Sequence, residues 1–180
     1  MQDKRKTGKC KDYNGMREIS EDTYISINDF ICGLNEEQTS AFFFRMKDKQ
    51  PAIHSYMLQS IGIESSKYAL VIGNFLFALI IRSYEYEYGE FPMIAQERIT
   101  EYNSEKTKFI TLELKRNSRN KTINGLKREA GQRVLIEFLE LMTAKDSRTH
   151  ASFTEDEKSR LKIAVYLTVI FLNEEMEKLK

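Results

Sequence analysis

Two histidines, two cysteines, a set of carboxylates and one dense basic stretch are the residues whose types could do chemistry in this 180-residue chain. A di-iron bundle needs Glu-x-x-His pairs on facing helices. Neither His54 nor His150 has a Glu three residues before it, and neither His-x-x-x-His nor Cys-x-x-Cys occurs. No metal or other cofactor is therefore expected. Nucleophilic catalysis needs a nucleophile, a base and an orienting group brought together. Nothing in the spacing brings Cys10 or Cys32 to either histidine. His54 reads as a boundary residue beside an apolar face, and His150 as part of a polar loop. Walker, Rossmann and Gly-x-Ser-x-Gly patterns do not occur. Glu85, Glu87 and Glu90 lie among tyrosines. Buried acids of this kind could do acid–base work, but at a helix end they read as a solvated face. Gln50 and Gln132 could form a pseudo-symmetric pair at the bundle interface, but surface placement is the simpler reading.

The basic stretch is the stronger lead. Lys115, Arg116, Arg119, Lys121, Lys127 and Arg128 follow one another closely, with Arg133 one turn on. Residues 105–133 hold nine Lys or Arg against three Glu. Such a patch can neutralise phosphates in a salt-dependent way. Lys127 and Arg128 also head an amphipathic segment, as in a recognition helix. Against a nucleic-acid partner stand a formal net charge of only +1 and an acidic chain remainder, which favour a solvated loop or a patch that docks an acidic protein surface. Residues 1–18, with six Lys or Arg against three Asp or Glu, read as a flexible basic tail.

The elements that must position these residues are helices. Apolar content of 41% with only two prolines and eight glycines favours long helices around one core. A single domain is expected over residues 19–180. Its centre is the run Tyr68 to Ile81, apolar on every side, paired with a second run, Ile163 to Leu172. A helix hydrophobic all round must be buried. The first run is too short to span a bilayer and no secretory signal is evident, so a cytoplasmic, membrane-free protein is expected. The two cysteines make no disulfide framework.

Taken in order, the pattern predicts a short helix at 27–33 and a helical unit from 36 to about 60, kinked or broken at Pro51. The buried helix follows at about 65–88. A long helix is expected over 92–115, with Pro92 at its first position and an alternating, strand-like stretch at 109–115 that also fits a helix. A basic loop over 115–121 should lead to one helix at about 122–144, striped by Ile123, Leu126, Ala130, Val134, Phe138 and Leu141. The last helix should run from 155 to about 178. Asn35 with Gln38, and Thr154 with Glu157, are capping-box signals.

The two halves echo each other. Gln50, Ile53, Tyr56 and Met57 match Gln132, Leu135, Phe138 and Leu139, and Leu70, Ile72, Gly73, Phe75 and Leu76 match Leu161, Ile163, Ala164, Tyr166 and Leu167. The expectation is an all-α bundle of five or six helices. Two helix-hairpin repeats, 36–88 and 122–178, would be joined by the helix at 92–115, with Gly73 opposite Ala164. For function, a non-enzymatic interaction or scaffold module with a protein partner, or self-associating, comes first. A nucleic-acid binder using 115–133 comes second, and an enzyme with an unrecognised site third.

Overall fold

The structure is a computed structural model that describes residues 18–62, 64–143 and 153–179. Residues 1–17 of the basic tail, with Cys10, and the polar loop with His150 lie outside the described residues. Of the described residues 83% are helical, with no strand among them. The chain forms α1 (Glu21–Cys32), α2 (Glu36–Lys49), α3 (Pro51–Ile61), α4 (Lys67–Tyr88), α5 (Gln96–Arg116), α6 (Arg119–Ala130), α7 (Arg133–Thr143) and α8 (Glu155–Glu177).

The expected count of five or six helices becomes eight among the described residues, for local reasons. Pro51 occupies the first turn of α3, where its missing N–H costs nothing, so of the kink or break expected there the structure shows a break between two helices. The single helix expected at 122–144 is two, because Gly131 takes the left-handed conformation (φ 66) that closes a helix. That break also rotates the stripe. Leu135, Ile136 and Leu139 are buried, whereas Leu141 is 74% exposed. Residues 109–115 are helical, and α5 starts at Gln96 and not at Pro92. The basic loop shrinks to Asn117 and Ser118, and Ser118 caps α6 by accepting from the Lys121 N–H. α1 begins six residues earlier than expected, on the Ser20 cap.

α4 and α8 form the centre, as their all-round apolar runs require. α8 packs on α3, α6 and α4, while α1, α2 and α3 pack on α4. Tyr84 of α4 donates to the Asn173 Oδ1 of α8 at 2.6 Å. Asn173 in turn donates to the Ala130 carbonyl, one of the orphan acceptors at the end of α6. Gly73, however, does not face Ala164. A Cβ there would lie 2.3 Å from the Ile61 Cδ1, so this glycine admits α3 against α4. α4 is long and apolar enough to cross a membrane by length and composition, and 67% of its most apolar window is buried inside this protein.

Two glutamines expected at the surface are buried, Gln50 at 3% and Gln132 at 2% exposure. Each stands just before a helix and holds extended backbone from a distant part of the chain. Gln50 donates to the Pro92 carbonyl (3.1 Å) and accepts from the Ile94 N–H (3.0 Å), just ahead of α5. Gln132 accepts from the Ile19 N–H (2.9 Å), just ahead of α1. Buried amides need such partners. Backbone that has left a helix supplies them without competing with helical bonds.

Candidate functional site

The six basic residues do not form one site. Lys115 and Arg116 end α5, where cations complement the helix dipole. Arg119 is bound to Asp156 at 2.8 Å and Lys127 to Glu140 at 2.7 Å. Lys121, Lys127 and Arg128 do share a cleft of about 890 Å³ between α6 and α7, with Arg133 and Glu137 on its wall. Three of the six thus converge, and one of those three is already neutralised.

A second cleft, of about 390 Å³, lies where α1, α2 and α4 meet. Apolar Ile27, Phe30, Phe42 and Met46 and charged Arg45, Lys49, Arg82 and Glu90 line it together. Glu85, expected in a solvated face, is buried at 8% exposure. It can be buried because Lys49 (2.6 Å) and Arg82 (3.1 Å) both bind its carboxylate. Glu90 stays exposed and reaches Lys49 at 3.1 Å. The hydrogen bond to Glu85 holds the Lys49 ammonium above its ordinary pKa. A lysine kept more firmly charged is the reverse of one prepared as a nucleophile or base.

A third groove, of about 740 Å³, runs between α2 and α4 and is closed by the end of α1 and by α3. Its lining is mostly apolar: Leu34, Phe43, Phe44, Leu58, Val71 and Phe75. Phe44 is 64% exposed and Val71 53%. The sequence folds this way because α2 carries three consecutive phenylalanines. On a helix these fan out over 200°, so one (Phe42) enters the core and the others cannot all follow it. Lys47 and the exposed Cys32 stand on the rim. At the polar end, His54 Nε2 lies 2.8 Å from the Asn74 Oδ1, while Asn74 Nδ2 donates to the Leu70 carbonyl. That arrangement leaves the Asn74 oxygen to accept, so the proton sits on Nε2 of His54. The ring also packs edge-on against Phe77 at 4.9 Å. His54 is therefore a boundary residue, as its setting beside an apolar face implied.

Among the described residues no group of three or more His, Cys, Asp or Glu could hold a metal ion. Comparison with protein-family models, with curated proteins and with solved structures finds no match. The fold thus defines an all-α domain and no narrower class.

Proposed function

We propose that the protein is a non-enzymatic interaction module whose working surface is the groove between α2 and α4, and whose ligand is an amphipathic helix of a protein partner. The observation that carries this reading is the pair of large apolar side chains, Phe44 and Val71, more than half exposed on opposite walls of one groove. Apolar side chains gathered along one groove, instead of scattered singly, are what a docking surface presents. Grooves between helices take an apolar helix face through residues at i, i+3 or i+4, and i+7. Val71→Glu places a charge on the wall at a site where folding does not need the valine. Helical peptides selected on the purified protein should carry that apolar spacing and bind Val71→Glu at least tenfold more weakly. Equal binding to the variant would remove the groove from consideration.

A second reading, nucleic-acid binding, draws support from the cleft lined by Lys121, Lys127, Arg128 and Arg133. The shift of a labelled duplex or single strand should weaken steeply with salt. It should also weaken on joint replacement of Lys127 and Arg128 by Glu. A shift that persists unchanged in that variant excludes the cleft. The engagement of Lys127 with Glu140 makes this reading the weaker one.

The repeat reading gains a different boundary from the glutamines. Gln50 and Gln132 stand at matching places before α3 and α7, and each holds the segment that leads into the first helix of the other half. We take the repeats as α1–α4 and α5–α8, so that α5 is the first helix of the second half instead of a linker. Tyr24 and Ile27 in α1 then match Ile99 and Tyr102 in α5, and all four are buried.

A further inference from the structure

Fully buried side chains occur only in the first half of α5, and beyond it Ile110 packs partly against the core. Arg98 binds Glu175 at 3.0 Å, and Tyr102, buried against Phe171, donates to the Leu167 carbonyl at 3.0 Å. From Asn103 to Asn117 no residue is buried, yet Phe109, Leu112 and Leu114 are 48%, 50% and 39% exposed. Within the chain this helix packs on α3, α6 and α8, not in the groove beside α2.

The charges on the two helices match in reverse order. On α2, Glu36, Ser40, Phe43 and Lys47 are spaced four, three and four, and Ser40, Phe43 and Lys47 line the groove. On α5, Glu105, Phe109, Leu112 and Arg116 are spaced four, three and four. Each set lies on one helix face and spans about 16 Å. Laid antiparallel, Arg116 meets Glu36, Leu112 meets Ser40, Phe109 meets Phe43, and Glu105 meets Lys47. The opposed helix dipoles favour the same direction. Glu36, Lys47, Glu105 and Arg116 are all exposed, and among the described residues none of them is engaged in an ion pair.

We propose that the occupant of the α2–α4 groove is a second copy of this chain, the exposed face of whose α5 second half lies antiparallel along α2. This rests on the reading of the groove as a helix-docking surface and names its partner. Each copy carries both parts of the contact, so the association is of like with like.

Sedimentation velocity on the full chain, from about 1 to 200 µM, tests it. Self-association is expected, and Phe109→Ser should weaken it at least tenfold with unchanged helicity. Glu36→Lys alone and Arg116→Glu alone should each weaken it several-fold. The double variant Glu36→Lys with Arg116→Glu should recover most of the loss, which a merely destabilised fold could not do. The proposal is overturned by a chain that stays monomeric throughout, by indifference to Phe109→Ser, or by a double variant no better than the single ones. If selected helical peptides still enter the groove in those cases, only the second copy is wrong. If they too bind Val71→Glu unchanged, the groove reading has failed with it.

Discussion

Glu157 joins the caps of two helices. Its Oε2 accepts from the Thr154 N–H at 2.9 Å, completing the capping box that opens α8. Its Oε1 accepts from the Ser66 N–H at 2.7 Å, and Ser66 is the cap of α4. One carboxylate therefore ties together the positive ends of both central helices. These hydrogen bonds, first from Thr154 and then from Ser66, hold its pKa down at about 2. A depressed carboxyl stabilises the fold fully above its ordinary pKa and loses that contribution as the pH falls through the folded value. Glu157→Gln should thus lower stability near neutrality by about 1–2 kcal/mol. The gap from the parent protein should close as the pH falls from the ordinary carboxylate range towards 2. Urea midpoints measured across that range check the prediction, and a gap independent of pH would count against it. Half of this arrangement was legible beforehand. Thr-x-x-Glu is a local signal and reads directly as a cap. The bond to Ser66 crosses 91 residues, and no local pattern carries it. Gln50 and Gln132 were missed for the same reason: a glutamine before a helix looks solvated until the backbone that satisfies it is in place.

At the scale of elements, the apolar runs made α4 and α8 readable, because a helix without a polar face has only one place to go. Where the sequence misled, a single residue had overridden a periodic pattern. Gly131 is tolerated within helical periodicity, yet here it adopts a positive φ and turns the chain. Gly73 misled in the opposite sense. It was matched to Ala164 by the echo, but its partner is Ile61 of α3. The contact makes a sharp prediction. Gly73→Ala gains helix propensity of about 1 kcal/mol, but it drives a methyl against a fully buried isoleucine. Overpacking of this kind costs about 1–3 kcal/mol, so a net loss is expected. Ile61→Val deletes the Cδ1 that the new Cβ meets. Combined with Gly73→Ala, it should cost about 1 kcal/mol less than the two changes measured separately and added. Strict additivity in a denaturant double-mutant cycle would mean that α3 and α4 do not meet through this pair.

For the whole molecule, the two halves are not two independent cores. α8 belongs to the second half, yet it lies against α3 and α4 of the first as well as against α6. The glutamine clamps also cross between halves in both directions: Gln50 holds Pro92 and Ile94, and Gln132 holds Ile19. A half alone would leave an all-round apolar helix partly bare, and one extended segment would lose its amide partner. The grooves belong to this same scale. A local pattern shows that a phenylalanine is present but not which side of the packed assembly it ends on, so Phe44 could not be placed until every neighbour was. Two halves completed by each other should not fold apart. Fragments divided between Glu90 and Phe91, in the extended segment before α5, should each show weak helicity and no cooperative melt. Mixed in equal amounts, they should recover the helical signal of the intact chain. Gln50→Leu in the first fragment keeps the volume but orphans the Ile94 N–H and the Pro92 carbonyl. At about 1–3 kcal/mol for unsatisfied buried groups, it should weaken the reassembly about tenfold or more. Circular dichroism titrations of one fragment into the other give both numbers. A first fragment that melts cooperatively alone would show that α8 is an addition to a core already complete.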